Sequence, residues 1–178
     1  MAITSGDIKF KYSVKTGTAG NQETSTAFNS LGKYISTTEI PDAALNNLFD
    51  NVTGDQNAAG DVNYRCFFIH NAHATLTLMS AFIWISAEVP GGADMAFLVD
   101  STVASPIGQA SAQAKEVVNE YGAPSEPTFY TTTTKGVNIS GSLLPGYCRA
   151  FWVRRTATNS AALDNDSVTL KVEGETAA

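Results

Sequence analysis

The stretch IKFKYSV, residues 8–14, sets Ile8, Phe10, Tyr12 and Val14 against Lys9, Lys11 and Ser13. A period of two puts the apolar set on one face of a strand, whereas helical spacing would scatter it. SVTLKVEG, residues 167–174, repeats the pattern with Val168, Leu170 and Val172 against Thr169, Lys171 and Glu173. Between them VNYRCFFIHN (62–71), ADMAFLVD (93–100) and YCRAFWVRRT (147–156) are dense in β-branched and aromatic residues. ATLTLMSAFIWISAEV (74–89) exceeds an ordinary strand and reads as two, bent near Met79–Ser80. Shorter strands are expected at YISTTEI (34–40), at Lys115–Glu120 and at Thr128–Thr133, and VNISGSL (137–143) leads into the turn LPG. Roughly eight strands with turns between them predict an all-β, immunoglobulin-like antiparallel β-sandwich.

The N-terminal third is less regular. TGTAGNQETSTAFNSLG (16–32) has no apolar period and reads as a long loop or arm. AALNNLFDNV (43–52), following Pro41 and a candidate N-cap at Asp42, places Ala44, Leu45, Leu48, Phe49 and Val52 on one helical face and predicts a short helix. TGDQNAAGD (53–61) reads as a loop. The expected organisation is one domain, in which residues 1–60 supply a strand, an arm and a short helix packed on a sandwich body formed by 61–178.

The immunoglobulin-like expectation rests on the order Cys66, Trp84, Cys148, each in mid-strand. The spacing fits less well: Trp84 follows Cys66 by 18 residues, and Tyr147 adjoins Cys148 instead of standing two before it. The sequence leaves open whether the cysteines form a disulfide. Two buried free thiols are the plainer reading.

Charge narrows the function classes. Charged residues make up 16% of the chain against a usual ~25%. The formal net charge is -6. No basic face is available to neutralise phosphates, so nucleic acid is not an expected partner. No stretch approaches the ~18 apolar residues of a membrane span, and MAITSGDIKFKYSV carries no apolar signal core, so synthesis in a cytosol is expected.

The string C-x3-H-x2-H formed by Cys66, His70 and His73 looks like a metal site or a Cys/His catalytic pair. Strand geometry argues against both. Cys66 and His70 share a face but stand about 13 Å apart at ~3.3 Å per residue, too far for one ion. A nucleophilic Cys66 or Cys148 would also need a partner that lowers its pKa and an orienting carboxylate. Asp50, Asp55, Asp61, Asp164 and Asp166 lack EF-hand spacing and read as turn formers. Arg154 and Arg155 point to opposite faces of a strand, so one of them should face inward or into an edge contact. No catalytic, cofactor-binding or metal-ligating residues are assigned.

Several motifs carry a resemblance: SGDIKF, SLGKYISTTEI, LNNLFDNVTGD, AAGDVNYRCFFIHN, TLTLMSAFIWIS, LLPGYCRAFWVRRT and DNDSVTLKVEG. In this run of motifs the chain resembles a family of small virion structural proteins of tailed bacteriophages, over nearly its whole length apart from the loops near 101–135. The resemblance implies association with the phage particle, assembled in the host bacterial cytoplasm, and no reaction. The expected role is a capsid decoration (cement) protein contacting the major capsid protein and copies of itself as a homo-oligomer. A neck, tail or head-fibre component is the alternative, and a carbohydrate-binding module for the host surface is the second, with Tyr121, Phe129 and Tyr130 as its candidate aromatics.

Overall fold

The two alternating stretches are strands at opposite ends of the chain and in different sheets. In a computed structural model, residues 2–17, 23–126, 128–131, 137–139 and 141–176 are described. They form ten strands and one short α-helix: β1 (Ile8–Val14), β2 (Tyr34–Glu39), α1 (Gly54–Ala59), β3 (Val62–Asn71), β4 (Leu78–Glu88), β5 (Asp94–Val99), β6 (Ser105–Pro106), β7 (Val137–Asn138), β8 (Ser142–Leu143), β9 (Tyr147–Thr156) and β10 (Val168–Thr176). One antiparallel sheet runs β2-β1-β3-β9-β5, with β6 also on β9. The other runs β10-β4-β7, with β8 also on β4. The fold is an all-β sandwich, and β1 and β2 are full members of its larger sheet.

The larger sheet is buried on both faces. Phe67, Ile69, Phe151, Val153 and Phe97 meet Ala81, Ile83 and Ile85 of β4 between the sheets. Cys66, Phe68, Cys148, Ala150, Trp152 and Leu98 face the other way and are covered by Leu31, Ala114 and Val117. Those covering residues belong to two loops bonded to each other, Lys33 N–H to Lys115 O at 3.1 Å and Val117 N–H to Leu31 O at 3.1 Å. Strands covered on both sides read as nearly continuous apolar runs, as β3 and β9 do. Each large apolar side chain so buried contributes on the order of 1.5–3 kcal/mol. Ser13, on the polar side of β1, is fully buried under the first loop, where its Oγ accepts the Gly32 N–H at 2.9 Å.

Several sequence expectations are corrected. Residues 43–52 form turns, because Ala43 and Asn46 take left-handed backbone angles (φ 53° and 58°) that no α-helix admits. The helix lies just beyond, at Gly54–Ala59. There Thr53 and Gln56 form a capping box and Gly60 ends the helix at φ 69°. The apolar residues of 43–52 divide accordingly: Phe49 is buried while Leu45 is exposed. Residues 78–88 are one strand rather than two. β4 carries an extra residue opposite β10 in two places, and Ser80 at φ 47° marks the bend. Lys115–Glu120 is not a strand and contributes one bridge, Glu116 to Gly32. From Thr128–Thr133 the described part contributes only the bridge of Tyr130 to Phe97, and 132–133 lie outside the described residues.

The cysteines depart from the immunoglobulin arrangement. Cys66 on β3 and Cys148 on β9 occupy neighbouring strands of one sheet, where immunoglobulin domains place theirs across the two sheets. In the register Cys66 lies opposite Trp152 and Cys148 opposite His70. Four residues of offset separate their α-carbons by about 13 Å along the strands, beyond any disulfide. Both are buried and free.

Candidate binding face

At one end of the sandwich two arginines enter the space between the sheets. Arg65 of β3 is 1% exposed, flanked in sequence by Tyr64 and Cys66. Its Nη2 pairs with the Glu120 carboxylate and its Nη1 donates to Tyr64 O at 3.2 Å. Arg155 of β9 donates to Asp50 O and, at 2.9 Å, to Asn63 Oδ1. The Phe49 ring lies against both guanidinium groups, 5.6 Å from Arg65 and 4.8 Å from Arg155. Burial lowers the Arg155 pKa from its ordinary value, and the Asp50 carboxylate opposes that shift. Aromatic faces and carboxylates together make two buried cations tolerable where either alone would not.

This stack lies beside an open groove of about 510 Å³ whose lining includes Tyr12, Thr26, Phe28, Glu39, Asn46 and Arg65. Phe28 of this lining is 69% exposed, and Leu45, next in sequence to the lining residue Asn46, is 81% exposed. Phe28 stacks on Arg65 at 5.8 Å. Single exposed apolar residues are ordinary, but two beside one groove make it a candidate contact surface. Its chemistry suits docking: apolar side chains outside, with a rigid charged stack beneath them.

The residues singled out in the sequence are dispersed. Cys66 and His70 lie four residues apart on β3. Burial pushes the Cys66 thiol pKa well up and raises that of Cys148 to about 12, so neither is a thiolate near neutrality. Burial also lowers His70 to about 4, and neither of its ring nitrogens has a partner. His73 is a turn residue: its Nδ1 accepts the N–H groups of Thr75 and Leu76 at 3.1 and 2.9 Å, so the proton sits on Nε2. Among the described residues no three His, Cys, Asp or Glu side chains converge as a metal ion requires.

The aspartates also separate. Asp50 faces Arg155, Asp55 lies in the first turn of α1, and Asp166 accepts the Ala93 N–H at 2.9 Å. Arg154 and Arg155 take opposite faces, Arg155 inward and Arg154 over the Phe129 ring at 5.2 Å. Of the candidate loop aromatics, Tyr121 and Tyr130 are exposed, while Phe129 packs on Tyr64 at 5.6 Å. Arg65 and Phe28 escaped the sequence reading, and Phe49 entered it only as an apolar position of the expected helix at 43–52. The available signal was an arginine amid the apolar residues of a predicted central strand.

Comparison with family models, with curated proteins and with solved structures gives no match.

Proposed function

We propose that the chain is a structural protein of a tailed-phage virion, a decoration or cement protein that binds the outside of the head lattice. The observation that carries this reading is the solvent-exposed pair Phe28 and Leu45 at the groove beside the Arg65–Phe49–Arg155 stack. Both lie on the N-terminal segment, where the resemblance to virion structural proteins also runs. A sandwich with both faces of its larger sheet covered is a stiff body that delivers such residues to a neighbour with little ordering cost. The partner is the major capsid protein. Cement action requires that the chain bind the assembled lattice better than free capsid subunits, so that binding shifts the balance toward the assembled head.

The experiment is to strip the protein from purified virions and compare their thermal and chelator resistance with that of intact particles. Lower resistance, restored by adding the purified protein back, is expected. Unchanged resistance contradicts a cementing role.

A further inference from the structure

His70 is 6% exposed, and neither of its ring nitrogens has a hydrogen-bond partner. Alternation along β3 puts it on the face of Cys66 and Phe68, the side of the larger sheet that the loops cover. In the register it stands between Lys9 of β1 and Cys148 of β9. Directly opposed side chains have β-carbons about 4.5–5.5 Å apart, so the imidazole and the Cys148 thiol are neighbours. The cover over Cys148 is the segment 105–113, which carries no charged residue. Its strand pairing is two residues long, Ser105 with Cys148 and Pro106 with Tyr147. Its far end hangs on the buried Gln113. The Gln113 Nε2 reaches Cys148 Sγ at 3.3 Å, Ser105 Oγ at 3.2 Å and Pro106 O at 3.0 Å, and Oε1 accepts the Ile35 N–H at 3.2 Å. A short strand and one glutamine make a strap that opens at lower free energy than the core strands beneath it.

We infer that protonation of His70 releases this strap, so that residues 105–113 lift from the larger sheet in acid while the sandwich stays folded. An imidazolium at this position has no acceptor in place. From β1 it meets Lys9 and Lys11, from β9 the Cys148 thiol, and from β2 the Glu39 carboxylate. Glu39 is already paired with Lys9 at 3.4 Å. Two lysines against one glutamate leave the surroundings positive, and the strap adds no charge to offset them. A new cation there is repelled as well as cut off from water, and lifting the strap lets water reach it.

The direction of the effect follows from linkage. With the strap closed the His70 pKa is about 4, and water at the ring returns it toward 6.5. The open form therefore binds the proton first, and the closed form loses ground as pH falls from 6.5 to about 4. Opening should grow by up to about tenfold per pH unit across that window. Cys66 is held differently. It lies four residues along β3 from His70, and its own N–H donates to Ser30 O of the other covering loop at 2.7 Å. It should stay covered when the strap lifts. The device is built into the sandwich and does not rest on where the protein works.

The test labels the two thiols with dithiodipyridine, which reacts with thiols in acid, and assigns each by mass spectrometry. Each rate is divided by that of the urea-unfolded chain at the same pH. The Cys148 rate is expected to climb by up to about tenfold per unit as pH falls from about 6 to about 4, with Cys66 protected and the circular dichroism unchanged. In His70→Leu the Cys148 rate stays flat across that window. Gln113→Ala, which keeps the histidine, raises Cys148 labelling at every pH and retains the slope. A flat wild-type profile, the same slope in His70→Leu, or no effect of Gln113→Ala each overturns the inference. So does a rise of Cys66 in step with Cys148, which would mean that the whole sandwich opens.

Discussion

Trp152 donates its indole N–H to Asp100 Oδ2 at 2.8 Å, with both residues fully buried beneath the loop that follows β5. The same carboxylate accepts the Lys115 N–H at 2.9 Å, and Oδ1 accepts the Thr102 N–H at 2.8 Å. One side chain thus ties a core strand to both ends of a loop that has little regular structure of its own. Asp100→Asn turns one acceptor into a donor facing N–H groups. It should cost about 2–4 kcal/mol in urea unfolding, and Trp152→Phe about 1–2 kcal/mol plus a cavity contribution. Equal and small costs for the two variants would show that the loop is held by packing alone.

His70 gives the fold an acid sensitivity. Its folded pKa, about 4, lies below the unfolded value of 6.5, so the unfolded chain takes up the proton first. The stability contributed by the neutral ring is fully present above pH 6.5 and is lost as pH falls toward 4. The loss reaches roughly 3 kcal/mol at the lower end. Lys11 deepens the shift and Glu39 opposes it. His70→Leu should flatten the fall in unfolding free energy across that window relative to wild type. Parallel pH profiles for the two proteins would contradict this.

Gly32 and Gly91 both have positive φ, 97° and 92°, but in different surroundings. A Cβ on Gly32 would run into the Lys115 carbonyl, whereas one on Gly91 meets nothing within 4 Å. Gly91→Ala should cost about 1 kcal/mol from backbone strain alone. Gly32→Ala should cost about 3 kcal/mol or more, because the loop at 113–117 must move off the sheet. Thermal unfolding of the two variants side by side measures the difference.

Both thiols should be inert in the folded protein. Near pH 8, iodoacetamide should label neither Cys66 nor Cys148 until denaturant is added, after which both react. Rapid labelling of the native chain would mean that the covering loops open freely.

The sandwich was legible because its long strands announce themselves. β1, β3 and β9 fall within the bounds that alternation and aromatic density suggested, and Ser80 bends β4 where the over-long run required a break. The helix was misplaced because apolar spacing in 43–52 mimics an amphipathic turn. The capping signal, Thr53 with Gln56, stood a few residues later in a stretch with no apolar residue larger than alanine. Backbone angles such as those of Ala43 and Asn46 leave no mark in hydrophobic pattern. The candidate binding face was legible only in fragments. Strand alternation sent one of Arg154 and Arg155 inward, but the meeting of Arg65, Phe49 and Arg155 joins β3, a turn and β9, which no local pattern links. Cys66 and His70 misled for the opposite reason: neighbours in the string, they are held apart by the extended backbone.

The central claim is occupancy of the phage head, and the most direct measurement is an image of the protein in the intact particle with its copies counted. The account predicts on the order of hundreds of copies on the outside of the head, as lattice symmetry multiplies each site. In that image Phe28 and Leu45 face the capsid protein, and a chain carrying F28S and L45S fails to bind stripped heads. About six or twelve copies confined to the neck or tail, or no copies in the particle, would contradict it.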